Sequence, residues 1–203
     1  TFGHKEGAEN VISIARSAKK FGVKTLTLYA FSTENWKRPA SEVGFLMDLL
    51  IKFVNSKIDE LMEEDCKLNF LGDITKLPKK TKEACEFALD KTKDNKSLVI
   101  NIALNYGGRD ELVHSFKEIM KKGYGSDEIT EELISDNLYT SGQADPDLLI
   151  RPGGELRLSN FLVYQLAYTE LYFTEVLWPD FTEDDLREAI VAFTKRDRRY
   201  GGL

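Results

Sequence analysis

A short apolar run that ends at an arginine is the stretch of this sequence with the most evident chemistry. Residues 148–150 form the run, Arg151 ends it, and residues 152–154 read Pro-Gly-Gly, with Arg157 and Ser159 close behind. A strand that stops at an arginine and a glycine pair presents free backbone N–H groups and side-chain donors to one point, which suits a phosphate or diphosphate. The alternative is an ordinary turn with a solvated arginine, because short glycine-rich loops are weak signals.

Two further strands run into polar clusters. Residues 25–31 are rich in β-branched and aromatic side chains and predict a strand, which leads into Ser-Thr-Glu-Asn-Trp-Lys-Arg-Pro at residues 32–39. Residues 98–104 predict another strand, followed by Asn-Tyr-Gly-Gly-Arg at residues 105–109. Since ligands bind outside the carboxyl ends of the strands in open α/β sheets, the three clusters should meet at one edge. Together they would offer Glu34 for a cation and five side chains for anions: Arg38, Arg109, Arg151, Arg157 and Ser159.

Glu170 is an isolated acid in an apolar and aromatic segment, Tyr-Thr-Glu-Leu-Tyr-Phe at residues 168–173. An ionised carboxylate in such surroundings requires a partner. The sequence leaves three kinds of partner open: an arginine, backbone donors or a metal ion.

Strands that alternate with helices along the chain position these clusters. The alternation predicts one α/β domain with a mainly parallel central sheet flanked by helices. The predicted strands are residues 25–31, 67–71, 98–104, 148–150 and 171–174. The predicted helices are residues 6–21, 39–64, 78–91, 110–121, 130–137, 161–168 and 182–195.

The longest predicted helix, residues 39–64, has a wider apolar arc than a surface helix needs. Its two apolar stripes comprise Val43, Leu46, Met47, Leu50, Val54, Ile58 and Leu61 on one side and Phe45, Leu49 and Phe53 on the other. Either the helix packs on two sides, or one stripe covers the sheet while the other lines an apolar cavity.

Composition and missing motifs narrow the function further. A net charge of −6 argues against a general nucleic-acid binder, and no apolar run reaches the ~18 residues of a membrane span. Cys66 and Cys85 form no disulfide framework and are expected in the core of a protein in a reducing, cytoplasmic setting. Serine-hydrolase, zinc-protease and P-loop motifs do not occur. The residues therefore indicate an α/β protein that binds a phosphorylated, partly apolar substrate, with Mg²⁺ as a candidate cofactor.

Several longer motifs resemble those of one family. Y-A-F-S-T-E-N-W-K-R-P, N-Y-G-G-R, R-P-G-G-E-L-R-L-S-N-F, Y-T-E-L-Y-F and W-P-D-F are similar to motifs of the cis-prenyltransferases, above all the bacterial undecaprenyl diphosphate synthases. The resemblance extends over almost the whole chain and implies the cis-prenyltransferase fold.

The resemblance also implies a reaction. Such an enzyme adds isopentenyl diphosphate repeatedly to an allylic diphosphate, usually farnesyl diphosphate, and makes Z double bonds while Mg²⁺ assists loss of the allylic diphosphate. The product would be a long Z-polyprenyl diphosphate, expected to be undecaprenyl diphosphate as a lipid carrier for cell-wall synthesis. We expect a cytoplasmic homodimer with no nucleic-acid partner and at most peripheral membrane contact.

Roles follow by position in the matching motifs. The diphosphate of isopentenyl diphosphate would be bound by Arg151, Arg157 and Ser159, with the Leu158 backbone between the last two. Glu170 would ligate Mg²⁺, and Asn35 would assist proton removal from the incoming unit. The rest of the substrate site would comprise His4 near the allylic diphosphate, and Ser32, Thr33, Glu34, Trp36 and Arg38. Residues 199–202, Arg-Tyr-Gly-Gly, resemble a segment that reaches the neighbouring active site of a homodimer.

Two features depart from the family pattern. Pro152 stands where the family usually has threonine. The family also opens with a strand that ends in Asp-Gly-Asn-Gly-Arg, whose aspartate binds Mg²⁺ and whose backbone holds the allylic diphosphate. That motif should stand upstream of Gly3, and the printed chain starts at Thr1. We therefore expect residues 1–203 to form a single cis-prenyltransferase domain without its N-terminal strand and aspartate loop, the upstream segment being omitted or truncated.

Two rival functions stay open. A non-catalytic subunit of a heteromeric prenyltransferase would also lack the aspartate loop, and activity of the full-length protein alone would decide against it. An unrelated phosphate-ester enzyme or a phospholipid-binding module would share only the anion-binding residues. Incubation with isopentenyl and farnesyl diphosphates separates these from a prenyltransferase.

Overall fold

The structure, a computed structural model, describes the backbone of residues 2–197 and the side chains of residues 6–197. Its five strands are β1 (Thr25–Ser32), β2 (Cys66–Leu71), β3 (Leu98–Tyr106), β4 (Leu148–Arg151) and β5 (Glu170–Phe173). Its α-helices are α1 (Phe2–Lys20), α2 (Ala40–Glu63), α3 (Lys79–Thr92), α4 (Gly108–Lys121), α5 (Glu131–Ser135) and α6 (Glu183–Thr194). All five predicted strands are present, and so are six of the seven predicted helices.

Every strand pairing in the described part of the chain is parallel, and the α/β prediction is confirmed. β3 lies between β1 and β2 in a three-stranded sheet, while β4 and β5 form a second, two-stranded sheet. Every residue of β3 except Val99 is buried, as expected for a central parallel strand that is covered on both faces. β1 and β4 each have one edge that pairs with no other described strand, and both strands border the same cavity.

The core lies on both faces of the three-stranded sheet. On one face α1, α2 and α3 pack against alternate residues of β2 and β3, such as Leu68 and Ile100. On the other face Ala103 and Tyr106 pack against Leu162 in the loop before β5. Cys66 and Cys85 are free thiols in the core between the sheet and helices α1, α2 and α3. Burial raises the pKa of the Cys85 thiol to about 12. Both cysteines are thus core residues, as predicted.

The predicted helix over residues 161–168 is wrong: this segment is a succession of turns. Ser159, Asn160 and Leu162 have φ values of +52°, +63° and +42°. Left-handed backbone cannot belong to a right-handed helix, so the residues that would start the helix prevent it. The turns are closed locally, for example by the Leu166 N–H, which donates to the Leu162 carbonyl at 3.0 Å.

Among the residues that the structure describes, each helix is either too short or too polar to cross a bilayer.

Candidate active site

The three polar clusters that follow β1, β3 and β4 lie together in the structure, as parallel strands predict. Asn160, in the loop after β4, donates from Nδ2 to Glu34 Oε1 at 2.8 Å. Its Oδ1 accepts from the Arg109 N–H at 3.0 Å, and its carbonyl accepts from the Gly108 N–H at 2.7 Å. One residue therefore connects all three strand ends.

The close approach of these loops explains a glycine in the second cluster. A Cβ atom at Gly107 would lie 2.7 Å from Thr33 Oγ1 and 2.8 Å from Asn160 Nδ2. Both distances are far below a normal contact, so a side chain at this position would displace the Thr33 and Asn160 side chains. At Gly108 a Cβ atom would lie 2.9 Å from the Val163 backbone nitrogen, so the Gly-Gly pair after β3 serves packing between the strand ends.

The glycine pair after β4 does not present free N–H groups, and that part of the prediction is wrong. The Gly153 N–H donates to the Val176 carbonyl at 2.8 Å, and the Gly154 N–H donates to the Thr174 carbonyl at 2.9 Å. Both glycines have left-handed backbone, with φ values of +93° and +78°, which glycine adopts without strain. The pair therefore fastens the loop to the segment after β5.

The groups of this loop that are available to bind an anion are its side chains. Arg151 donates from Nη1 to Ser159 Oγ at 2.9 Å and also to the Arg157 carbonyl. Since Ser159 Oγ accepts this bond, its own hydroxyl hydrogen can donate to a ligand. Arg157 pairs with the nearby Glu155, and its side chain is 66% exposed. Leu158, between Arg157 and Ser159, packs against the core on the face of the sheet that carries Ala103 and Tyr106. Two guanidinium groups and a hydroxyl in one short loop suit a diphosphate.

The segment after β1 is a 3₁₀-helical turn, Thr33–Lys37, and it carries the predicted catalytic residue. The Ser32 N–H donates to Asn35 Oδ1 at 3.0 Å, so the Asn35 carboxamide caps its own turn. Thr33 Oγ1 lies 3.4 Å from Glu34 Oε2, and Arg38 pairs with Glu42 of α2 at 2.8 Å.

Ionisation within this site is set by hydrogen bonds. Burial opposes ionisation of Glu34, but hydrogen bonds, that from Asn160 foremost, outweigh it and hold the pKa of Glu34 below its usual value. Burial, together with the Glu34 carboxylate, raises the pKa of Tyr29 to about 12. At neutral pH the site therefore holds an anionic Glu34 and a neutral Tyr29 hydroxyl.

An apolar cavity of about 1330 Å³ extends from this site, with Arg151 and Ser159 in its wall. The long helix α2 contributes to the wall from both predicted stripes, with Leu49 and Phe53 from one and Leu46, Met47 and Leu50 from the other. Phe45 is not in the wall. The cavity favours the interpretation that α2 both covers the sheet and lines an apolar space, but the predicted division of these roles between the two stripes is wrong.

Glu170 lies away from the loop after β4. It opens β5 opposite Leu148, whereas Arg151 pairs with Phe173 at the other end of the same two-stranded sheet. Three residues of parallel strand separate the two levels by about 10 Å. Arg196 donates from Nη1 to Glu170 Oε2 at 2.7 Å, so an arginine is the partner that the structure shows.

Among the side chains of residues 6–197 there is no group of three or more His, Cys, Asp or Glu that could hold a metal ion. Within one chain, Glu170 supplies a single carboxylate at the far end of the sheet from Arg151.

Two predicted contributions lie outside what the structure describes. His4 is within the backbone of α1, but its side chain is outside the described residues, and so is the C-terminal segment 199–202. Their predicted roles stay predictions.

The whole arrangement has counterparts among known proteins. Residues 1–201 match the family model described as putative undecaprenyl diphosphate synthase. The chain belongs to this family. The family's isoprenyl transferase from Clostridium perfringens is 48% identical over 207 residues, which cover 100% of this chain and 82% of that protein.

Two solved structures share the fold of this family member. The lavandulyl diphosphate synthase of Lavandula x intermedia, in complex with dimethylallyl diphosphate, has a TM-score of 0.93 at 35% identity. The match covers 98% of this chain and 88% of the Lavandula chain. A probable undecaprenyl diphosphate synthase from Campylobacter jejuni has a TM-score of 0.89 at 33% identity. The match covers 97% of this chain and 92% of the Campylobacter chain. Membership of the cis-prenyltransferases, and with it an enzymatic prenyl transfer, accords with the site described above.

Sequence reasoning missed two residues of this site. The sequence motifs predict no separate role for Asn105 or Asn160, yet both adopt left-handed backbone and bond to the turn after β1. The one signal in the sequence was the presence of asparagine, which tolerates this conformation better than most residues.

Proposed function

We propose that the protein condenses isopentenyl diphosphate onto an allylic diphosphate, farnesyl diphosphate in the first cycle, and builds a long Z-polyprenyl diphosphate. The observation that carries this proposal is the apolar cavity of about 1330 Å³ with Arg151 and Ser159 in its wall. A growing isoprenoid needs an apolar space, and its diphosphate end needs cationic donors beside that space. The names of the family's relatives support the same reaction class.

In this proposal the loop after β4 holds isopentenyl diphosphate. Arg151 and Arg157 would pair with its diphosphate, and Ser159 would donate its free hydroxyl hydrogen. Fixing the diphosphate leaves the alkene end of the substrate free to meet the allylic carbon, which lowers the entropic part of the barrier.

The turn after β1 would complete the reaction. The allylic carbon bonds to the terminal alkene carbon of isopentenyl diphosphate, the allylic diphosphate leaves, and a proton is lost to form the new double bond. Asn35 would assist that proton loss, since the oxygen that accepts the Ser32 N–H has a second lone pair. The apolar wall of the cavity would exclude water from the cationic centre, which water would otherwise capture.

Magnesium dependence belongs to the proposal as well. Mg²⁺ commonly binds through one or two carboxylates plus substrate phosphates, and when bound it would offset the charge of the departing diphosphate. Glu170 is the predicted ligand and would have to leave its ion pair with Arg196.

We also propose where the family's opening strand and aspartate loop would fit. The edges of β1 and β4 that pair with no other described strand border one cavity, and a parallel strand between them would join the two sheets.

The product, cellular role and assembly complete the proposal. Undecaprenyl diphosphate as a cell-wall lipid carrier, a cytoplasmic location and a homodimer follow from the family resemblance. Sedimentation velocity on the purified protein measures the assembly directly, and a monomer at assay concentration would contradict the homodimer.

The test of the reaction is incubation of the full-length protein with labelled isopentenyl diphosphate and unlabelled farnesyl diphosphate. After dephosphorylation, reversed-phase chromatography should show labelled polyprenols of increasing length. A protein that forms no labelled product alone but does so with a second subunit would be a non-catalytic partner. No incorporation under either condition would leave an unrelated anion-binding function.

A further inference from the structure

Two asparagines bond to the turn Thr33–Lys37 from separate strand ends. Asn105 lies near the end of β3 and Asn160 in the loop after β4, with φ values of +50° and +63°. Each carboxamide uses one atom on the turn and the other atom on a backbone group of a different segment. Both asparagine side chains therefore link the turn to the backbone of a neighbouring segment.

Asn105 holds the indole ring of Trp36. Its Oδ1 accepts from Trp36 Nε1–H at 2.7 Å, while its Nδ2 donates to the Asp73 carbonyl at 2.9 Å. Asn105 is 5% exposed and Trp36 is 40% exposed. A buried acceptor, itself anchored to backbone, thus fixes the orientation of an exposed ring that also packs edge-on against Phe31.

Asn160 holds the carboxylate of Glu34. Its Nδ2 donates to Glu34 Oε1 at 2.8 Å, and its Oδ1 accepts from the Arg109 N–H at 3.0 Å. The carbonyl of Asn160 accepts from the Gly108 N–H at 2.7 Å, so its backbone is anchored as well. A hydrogen bond to an ionised group is stronger than one between neutral groups.

We propose that Asn105 and Asn160 are positioning residues that clamp the turn after β1 and so orient Trp36 and Glu34 toward the substrates. This inference rests on the proposed function, because that function makes the turn part of the substrate site. The asparagines act through the residues that they hold, and neither has to touch a substrate.

Glycine is the substitution that isolates the two side chains. Asn105→Gly and Asn160→Gly keep the left-handed backbone without strain, whereas alanine would add a backbone penalty to the loss of the bonds. Asp65→Gly is the matched control. Asp65 has φ +51°, its carboxylate accepts from the Lys96 N–H at 3.1 Å and from Ser97 Oγ at 2.6 Å, and it stands before β2, at the other end of the sheet.

The first measurement does not depend on activity. Residues 1–203 contain two tryptophans, Trp36 and Trp178, and each should give one ¹⁹F resonance in protein made with 5-fluorotryptophan. Asn105→Gly should shift or broaden the Trp36 resonance and leave that of Trp178 unchanged, and Asp65→Gly should change neither. An unchanged Trp36 resonance in Asn105→Gly would overturn the clamp at this residue, even if the protein proved not to be a prenyltransferase.

The second measurement is a pair of double-mutant cycles on kcat/KM for isopentenyl diphosphate. Asn160→Gly alone should lower kcat/KM about tenfold, the loss of one hydrogen bond to a charged group. In a Glu34→Gln background the same substitution should cost much less, because its target is already altered. Asn105→Gly should behave alike in a Trp36→Phe background.

The cycles also contain the outcome that rejects the clamp. Effects that multiply independently in both backgrounds, as those of Asp65→Gly should, would show that the asparagines serve only folding. A wild-type protein without activity would instead refute the proposed function, and the fluorine spectra would still judge the clamp. Thermal melting of each variant beside Asp65→Gly separates loss of folding from loss of positioning.

Discussion

At the scale of single residues, the two arginines of the loop after β4 differ in what they already bind. Arg151 donates to Ser159 and to the Arg157 carbonyl, so it shapes the loop as well as carrying charge. Arg157 is 66% exposed beside Glu155. Arg157 is therefore the cleaner probe of diphosphate binding, because its removal leaves the shape of the loop intact.

Arg157→Ala should raise the KM for isopentenyl diphosphate about tenfold, since a bond to a charged group is worth ~1.5–3 kcal/mol and ~1.4 kcal/mol is a factor of ten. The KM for the allylic substrate should change less. Arg187→Ala is the matched control, because Arg187 is also exposed and paired, with Asp184 on α6. Steady-state kinetics with each substrate varied in turn measures both constants, and equal effects on both would reassign Arg157.

Glu170 tests a choice between a metal ligand and a structural ion pair. If it binds Mg²⁺, Glu170→Gln should lower kcat strongly and raise the Mg²⁺ concentration needed for half activity. If the pair with Arg196 is its only role, the variant should lose at most ~1 kcal/mol of stability, as partly exposed pairs do. Arg196→Gln breaks the same pair and keeps the carboxylate. Unchanged Mg²⁺ dependence in Glu170→Gln would show that the metal assignment is wrong.

Glu34 should make stability depend on pH in the acid range. Because its pKa is lower in the folded protein than the usual value near 4.3, Glu34 stabilises the fold above that value. The contribution is lost as the pH falls through the folded-state pKa. The difference in unfolding free energy between wild type and Glu34→Gln should thus be constant above about pH 5 and shrink below it. Urea titrations at several pH values measure it, and a difference that grows in acid would contradict the sign.

At the scale of the elements, α2 explains how one helix can serve both packing and function. Val54 and Leu61 are buried in the core against the sheet, whereas Leu49 and Phe53 line the cavity. A wide apolar arc therefore reflects two different neighbours, a packed sheet and an open space.

A bulky side chain on α2 should shorten the product only where the helix faces the cavity. Leu49→Trp should yield shorter polyprenols with little change in melting temperature. Phe45→Trp is the matched control, because Phe45 belongs to the same stripe but is outside the cavity wall, and its product should keep its length. A Leu49→Trp protein that loses the ~1–3 kcal/mol typical of overpacking and still makes full-length product would exclude the cavity as the product site.

At the scale of the whole molecule, the site joins two kinds of surface that no single element supplies. The strand ends place the cationic loop after β4 beside the polar clusters that follow β1 and β3. The space between the sheets, α1, α2 and α6 forms the apolar cavity. A ligand with one anionic and one apolar end should therefore stabilise the fold more than either end alone.

Farnesyl diphosphate at about 100 times its Kd should add ~2.7 kcal/mol to the stability. At ~2–4 °C per kcal/mol for a chain of this size, the melting temperature should rise by about 5–11 °C. Inorganic diphosphate and farnesol at the same concentration should each raise it less. Differential scanning fluorimetry compares the three, and an equal shift with inorganic diphosphate alone would remove the cavity from the binding site.

The strands, the parallel α/β architecture and the positions of the three polar clusters could all be predicted from the amino-acid sequence. These features depend on local patterns, because apolar periodicity and strand-ending residues are encoded within a few positions of one another. The family resemblance rested on the same local motifs, and the match over residues 1–201 confirms it.

The connections between the clusters, in contrast, could not be predicted and become apparent in the folded protein. Asn160 and Glu34 are 126 positions apart in the chain, and the N–H groups of Gly153 and Gly154 bond to carbonyls beyond β5. The left-handed backbone at Ser159, Asn160 and Leu162 excludes the helix that the apolar pattern predicted for residues 161–168. The strand register places Glu170 at the opposite end of the two-stranded sheet from Arg151. Each of these outcomes depends on partners that are distant in sequence, and a local pattern holds no information about them.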